Sequence, residues 1–223
     1  MKIYQPENGF RYNTDSLLIY DFIADSGLNG PILDIGCGSG IVGLLLARDF
    51  ALPLTGIDKQ EEMIAHAAKN AEINGIEAEF ICTDLAEFKS DGRFGAIVSN
   101  PPFYPSEGTL SSNPSKAQAR YATHMPSELL ISKANAHLHN RGSLYFCYDA
   151  RAVQELLTLL SAKKLYAVRI RFVHPSARKE ARLVLIEAKK YAKESMAIMP
   201  PFFMDDETAR RSLGERAGTR SMV

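Results

Sequence analysis

The sequence predicts an α/β fold: an open, mostly parallel sheet of seven strands, finished by an antiparallel hairpin, with helices on both faces. Three observations carry this prediction. Short apolar runs at 31–35, 52–58, 78–82 and 95–99 alternate with segments whose apolar residues recur at helical spacing, as strand–helix–strand units with a parallel sheet require. The first three runs end at or just before an acid, namely Asp34, Asp58 and Asp84. Finally, the runs 165–173 and 182–188 are joined only by a short link around 175–180, too short for a helical crossover, so the last pair is antiparallel.

Residues 4–13 are rich in aromatic and hydrogen-bonding side chains and read as a loop, either a cover over the sheet edge or a lid over a ligand. Asn13 or Thr14 can cap a helix that carries Asp15 in its first turn and Leu17, Leu18, Tyr20, Phe22 and Ile23 as a packing face. The first strand, 31–35, then breaks into Gly36, Gly38 and Gly40 before the apolar stretch 41–50. A strand, a glycine turn and a helix form a cradle in which backbone can approach a ligand closely. Residues 38–43 match the dinucleotide pattern G-x-G-x-x-G. With Asp34 in front, however, the motif becomes D-x-G-x-G-x-G, and a carboxylate at the strand end suits a cationic ligand better than a diphosphate.

The second strand, 52–58, ends at Asp58, 24 residues beyond Asp34 and close to the roughly 20 at which an acid meets ribose hydroxyls in dinucleotide-binding folds. A helix over 60–73 follows, with Asn74-Gly75 closing it. The third strand, 78–82, leads to Asp84. Asp58 and Asp84 could also be simple helix caps. The fourth strand, 95–99, runs into Asn100-Pro101-Pro102-Phe103-Tyr104, and two prolines there forbid both a helix and further pairing.

That corner sits where such folds place ligands, and its chemistry suits an exocyclic aromatic amine. The nitrogen lone pair of such an amine is delocalised and poorly nucleophilic. If the Asn100 side-chain oxygen and the Pro101 carbonyl each accept one N–H, the lone pair is aimed at an electrophile by orientation and preorganised electrostatics. Phe103 can stack on a base drawn out of its neighbours.

Residues 105–119 are polar and could close over an RNA, with Lys116 and Arg120 reaching phosphates, or could form a plain surface loop. A helix over 128–138, a strand over 142–148, a helix over 150–160 and the closing hairpin complete the domain, which ends near residue 203. Residues 204–223 read as a polar tail, surface-packed or frayed.

Across 223 residues, 26 basic and 26 acidic side chains cancel, so net charge implies no polyanion partner. Between residues 133 and 193, however, 13 Lys and Arg face four acids. That sector is either a nucleic-acid face or a solvated surface. The three cysteines, Cys37, Cys82 and Cys147, follow no metal spacing and imply neither a structural metal nor a disulfide framework. No run approaches the roughly 18 apolar residues of a membrane span. A soluble cytoplasmic protein without a membrane, monomeric or weakly dimeric, is the expectation.

The Asp34 to Gly40 motif resembles the first motif of the Rossmann-like (class I) S-adenosylmethionine methyltransferases, and S-adenosylmethionine carries an ammonium and a sulfonium. The Asn-Pro-Pro-aromatic corner resembles that of methyltransferases acting on adenine, guanine or glutamine amino groups. Together with residues 9–15, 120–124, 171–175 and 182–188, these motifs resemble the bacterial tRNA (adenine-N6) methyltransferases acting beside the anticodon of valine tRNA, over about residues 4–203. The resemblance implies S-adenosylmethionine as cofactor, held by Asp34, Gly36, Cys37, Gly38, Gly40, Asp58, Lys59, Asp84, Leu85 and Asn100, with Asp84 on the cofactor's adenine amino group and Leu85 against its ring. It implies a catalytic corner of Asn100, Pro101, Pro102 and Phe103, and tRNA contacts at Phe10, Arg11, Lys116, Arg120, Arg171, His174 and Arg178. Methylation of rRNA guanine-N2 or a protein glutamine shares the corner. A nicotinamide oxidoreductase shares only the glycine turn.

Overall fold

The computed structural model describes residues 1–4, 14–101 and 126–222. After a short strand β1 (Lys2–Tyr4) and helix α1 (Thr14–Ala24), the chain alternates β2 (Ile32–Ile35), α2 (Ile41–Phe50), β3 (Leu54–Asp58), α3 (Glu61–Asn74), β4 (Ala78–Cys82) and β5 (Phe94–Ser99). Helix α4 (Ser127–His137), β6 (Leu138–Asp149), α5 (Val153–Ala162), β7 (Leu165–His174) and β8 (Leu183–Lys190) follow. The chain ends with two-residue strands β9 (Ala197–Ile198) and β10 (Phe202–Phe203), helix α6 (Glu207–Ala217) and β11 (Arg220–Met222).

The main sheet has the order β10-β7-β8-β6-β5-β2-β3-β4, with β9 also on β7. Strand β8 runs antiparallel to both β6 and β7, and the other pairings are parallel. The seven predicted strands are all present; β9 and β10 add short parallel pairings at the β7 edge. Strand β6 starts four residues before its predicted start, through a register irregularity opposite Phe94 and Ala96. From β2 the chain builds outward to β3 and β4 on one side and resumes at β5 on the other. This reversal opens a crevice at the carboxyl ends of β2 and β5, where open α/β sheets bind ligands.

Alternation along the strands divides the core into two layers. Ile32, Ala96, Val98, Tyr145, Cys147, Val173 and Leu185 pack with α1, α2 and α6. Leu33, Ile35, Ile97, Leu144, Phe146, Ile170 and Ile186 pack with α4 and α5 on the opposite face. All four residues of β2 are buried, which is why this strand reads as a continuous apolar run with only one acid in it.

The C-terminal residues form a helix and a strand. Asp206 caps α6 by accepting the Ala209 N–H at 3.0 Å, and Gly218 closes the helix in the left-handed region. Leu213 and Ala217 are buried against the α1 layer, and Arg216 binds Asp21 at 2.9 Å and Asp25 at 2.8 Å. Strand β11 then pairs in parallel with β1. Strand β1 in turn lies on α3, where Asn74 accepts the Lys2 N–H at 2.8 Å and Asn70 accepts the Tyr4 N–H at 2.6 Å. The same two amides donate back to the Lys2 and Tyr4 carbonyls, so two side chains one helical turn apart do the work of a strand edge.

Part of the basic surplus between residues 133 and 193 is turned inward. Lys190 is buried and its Nζ donates to the carbonyls of Asn135 and Leu138. Arg169 is turned inward, its Nε donating to Glu187 at 3.0 Å and its guanidinium lying 4.3 Å from the Phe22 ring. Among the described residues no helix is long and apolar enough to cross a membrane.

Candidate active site

The glycine turn after β2 is stitched onto the end of β3: the Gly36 and Cys37 N–H groups donate to the Ile57 carbonyl at 2.8 and 3.0 Å, and Gly40 donates to Cys37 at 2.8 Å. Gly36, Gly38 and Gly40 have φ of 68°, 53° and 80°, a region where a Cβ is strained, so glycine is required at each. The turn delivers the chain into α2 with Gly40 as its N-cap.

Asp34 faces α2 because it shares the phase of Ile32 on β2. Its Oδ2 accepts the Gly43 N–H at 2.9 Å, satisfying one of the donors that a helix start leaves without a partner. Gly43 permits this contact: a Cβ there would stand 2.8 Å from both Asp34 Oδ2 and Leu54 Cδ1. Burial pushes the Asp34 carboxyl up to about 7; the Gly43 hydrogen bond opposes the rise and the nearby Asp58 adds to it. A carboxyl half-ionised near neutrality in a buried crevice is poised to respond to a cation.

Asp58 is 8% exposed, and both its oxygens are engaged, Oδ2 by the Gly38 N–H at 3.0 Å and Oδ1 by the Gln60 N–H at 2.9 Å. The acid thus braces the glycine turn and the entry to α3 together. Asp84 is exposed and accepts the Ala86 N–H at 2.8 Å. The three acids stand at the carboxyl ends of three adjacent strands, and Lys59 is exposed beside them.

Two of the predicted cofactor residues point inward. Cys37 is buried, and its sulfur lies 3.2 Å from where a Cβ on Gly56 would stand. Burial first, then Asp34 and Asp58, push its thiol up, so only backbone remains for a ligand. Leu85 is 6% exposed and packs with Phe88 and the α4 layer.

Asn100 follows β5 directly. Ile35 and Ser99 are register partners, and the Ser99 hydroxyl donates to the Ile35 carbonyl at 2.9 Å. The glycine turn and the Asn100-Pro101 corner therefore leave the sheet side by side, one strand spacing of about 4.8 Å apart. Asn100 continues the phase of Ala96 and Val98, which places its side chain towards α1. There its Nδ2 donates to Ser16 Oγ at 3.2 Å and its Oδ1 accepts the Cys147 thiol at 3.0 Å. Burial, and secondarily the charge of Asp15, push the Cys147 thiol well up, so it stays protonated and acts as donor. Pro101 is buried.

The expected RNA contacts fare differently. Arg171 shares the phase of Arg169 and Val173, so it points into the layer between sheet and α1. Its Nη1 binds Asp21 at 3.4 Å, its side chain is 15% exposed, and its Nε is buried without a partner among the described residues. In this arrangement the side chain is engaged by α1. His174 is half-buried against Phe203 and its Nδ1 lies 2.8 Å from the Lys179 carbonyl, while Arg178 is exposed. Pro102, Phe103, Phe10, Arg11, Lys116 and Arg120 lie outside the described residues.

Three residues of the site were not singled out from the sequence. Ser16 and Cys147 are described above. The third, Asn70, is fully buried and donates to the Ser39 carbonyl in the glycine turn at 2.9 Å as well as to Tyr4. For Cys147 a signal existed in the alternation of β5 and β6, whose pairing of Ser99 with Phe146 sets Asn100 beside Cys147.

Comparison with known proteins agrees with this geometry. Residues 13–162 match the methyltransferase small domain family. The chain is 26% identical over 225 residues to the tRNA1(Val) (adenine(37)-N6)-methyltransferase of Flavobacterium psychrophilum, covering 91% of this chain and 96% of that one. It is 34% identical over 124 residues to ribosomal RNA small subunit methyltransferase C of Aeromonas hydrophila, covering 55% of this chain and 32% of that one. Its fold superposes on that of a predicted O-methyltransferase from Agrobacterium tumefaciens with a TM-score of 0.69 and 17% identity, over 93% of this chain and 99% of the other.

Proposed function

Because the chain belongs to the methyltransferase small domain family, we propose that it transfers the methyl group of S-adenosylmethionine to the exocyclic N6 of an adenine in tRNA, adenine-37 beside the anticodon of a valine tRNA. One observation carries the reading. The Ile35–Ser99 pairing sets a glycine cradle and an Asn-Pro acceptor corner next to each other at the strand-order reversal. The tRNA substrate is supported by the likeness to the Flavobacterium enzyme along almost the whole chain.

The residues present fit the cofactor. The turn offers backbone that a Cβ would strain, Asp34 is a buried acid that a cation would ionise, Asp58 ends β3 and Asp84 lies two residues beyond the end of β4. Asp34 would answer the positive charge, Asp58 the ribose hydroxyls and Asp84 the adenine amino group. A carboxylate has about four lone-pair sites, so the two backbone donors on Asp58 leave room for hydroxyls. When bound, S-adenosylmethionine supplies an electrophilic methyl on its sulfonium.

The chain's own residues prepare the amine. Asn100 Oδ1 and the Pro101 carbonyl accept its two N–H groups, which draws the nitrogen towards tetrahedral geometry and directs its lone pair. Asn100 Oδ1 has two lone pairs, one for the Cys147 thiol and one for the amine. No strong base is needed, because the nitrogen sheds a proton to water once it carries the new bond. Phe103 stacks on the base and keeps it out of its own stack.

Incubating the protein with methyl-labelled S-adenosylmethionine and separate pools of total tRNA, rRNA and protein tests this. Label in tRNA, recovered as N6-methyladenosine, is the expected result. The partial likeness to an rRNA methyltransferase makes guanine in rRNA the second reading, and label confined to rRNA or to protein overturns the first.

A further inference from the structure

We propose that Cys147 and Ser16 are positioning residues for the transfer, fixing which way round the Asn100 carboxamide is presented to the amine. The inference rests on the proposed role of Asn100. An Asn side chain has nearly the same shape after a 180° flip about its last bond, yet the two states are chemically opposite: one offers an acceptor and the other a donor. An amine whose N–H groups must be accepted is served by only one of them.

Two different elements settle the choice. From β6, the Cys147 thiol donates to Oδ1 at 3.0 Å; from α1, Ser16 Oγ accepts from Nδ2 at 3.2 Å. In the flipped state Nδ2 would face the S–H, donor against donor, and only sulfur's weak acceptor capacity would remain. Ser16 can turn its hydroxyl to suit either state, so the thiol is the discriminating partner. Cys147 is fully buried and Ser16 4% exposed, so water does not substitute for either bond. The constellation follows from the strand phase described above: residues 98 and 100 of the β5 line and residues 145 and 147 of β6 face the same helix, and the first turn of α1 reaches them. The thiol takes no covalent part. Its hydrogen bond leaves the second lone pair of Oδ1 for the substrate and withdraws electron density from the amide only slightly.

The test separates donation from packing. In the full-length protein, Cys147→Ala lowers kcat by about 3- to 10-fold, the weight of one buried neutral hydrogen bond, with KM for S-adenosylmethionine unchanged. Cys147→Ser restores kcat, because a hydroxyl donates from the same place, and Ser16→Ala, which leaves the discriminating thiol in place, lowers it less than the alanine at 147. Binding of S-adenosylhomocysteine, measured by calorimetry, stays at the wild-type level in all three variants. Independently of activity, the side-chain NH2 protons of Asn100 exchange with solvent faster in Cys147→Ala than in wild type or Cys147→Ser. Wild-type kcat in Cys147→Ala, or an equal loss in the alanine and serine variants, overturns the inference; so does a loss of S-adenosylhomocysteine binding that follows the loss of kcat. Failure of the substrate reading shows separately, as wild-type label in guanine or glutamine, and the same ratios taken on that amine still decide the role of Cys147.

Discussion

Lowering the pH from 8 to 6 should weaken cofactor binding about tenfold, and Asp34 is the reason. Its carboxyl is held up at about 7 by burial, against the pull of the Gly43 N–H. At pH 8 about nine-tenths of the molecules carry the charge that answers a cation, and at pH 6 about one-tenth do, a ratio worth about 1.4 kcal/mol. Binding at pH 6 should therefore release close to one proton and at pH 8 close to none. Calorimetric titration of S-adenosylhomocysteine in two buffers of different ionisation enthalpy reads affinity and proton release together. Asp34→Asn keeps an acceptor for Gly43 and removes the titration, so its affinity should be lower at pH 8 and flat with pH, after which any slope left belongs to the ligand. Stability moves the other way. The folded pKa lies above the unfolded value of 3.8, so the stabilising contribution is complete below about pH 4 and is lost as pH rises through 7, up to about 4 kcal/mol in all. Asp34→Asn should accordingly melt higher than the ligand-free wild type at pH 8. A wild type whose affinity is level between pH 6 and 8 with no proton release, or an Asn variant with the wild-type slope, would refute the reasoning.

Three further outcomes are expected. Gly43→Ala sets a Cβ 2.8 Å from Asp34 Oδ2 and Leu54 Cδ1, an overpacking that costs about 1–3 kcal/mol; denaturant unfolding should show it, together with weaker cofactor binding. Arg171→Ala leaves Asp21 with Arg216 at 2.9 Å, so a loss of about 1.5–3 kcal/mol, the range for hydrogen bonds to charged groups, should appear in the melting curve, with tRNA affinity unchanged at matched salt. Asn100→Ala removes a directed acceptor and should lower kcat about 100- to 1,000-fold while S-adenosylhomocysteine affinity stays within a factor of about two; retained turnover would deny the amine-orienting role.

What the sequence made legible was local. The glycine turn, the strand-end acids, the Asn-Pro corner and the hairpin are each read within a few residues, because the constraint lies in the backbone of those residues: a left-handed φ at Gly36, Gly38 and Gly40, and missing N–H groups at Pro101 and Pro102. The roles that escaped depend on partners far away in the chain. Arg171 looks like a free cation until the alternation of β7 is set against α1 and its Asp21, 150 residues distant. Leu85 and Cys37 are buried with the core. The C-terminal helix carries few apolar residues, so its pattern reads as a polar tail, and two buried side chains with two Arg216 ion pairs hold it.

Helix α1 connects these separate findings. Ser16 at its start holds Asn100, Asp21 in its middle binds both Arg171 of β7 and Arg216 of α6, and Tyr20 donates to Asp49 of α2. Arg48 of the same helix donates to the carbonyl of Ala217, so α6 is fastened to α1 and α2 at once. One helix therefore carries the contact to the Asn100 amide at one end and the anchoring of the C-terminal segment further along. The seat of α1 on the sheet is set jointly by the core it buries and by charges that come from β7 and α6. A disturbance of α6 can reach Asn100 by moving α1, whose Ser16 holds the amide at 3.2 Å and whose Asp21 is bound by two arginines. The amide is held by contacts that the charges around Asp21 keep in place.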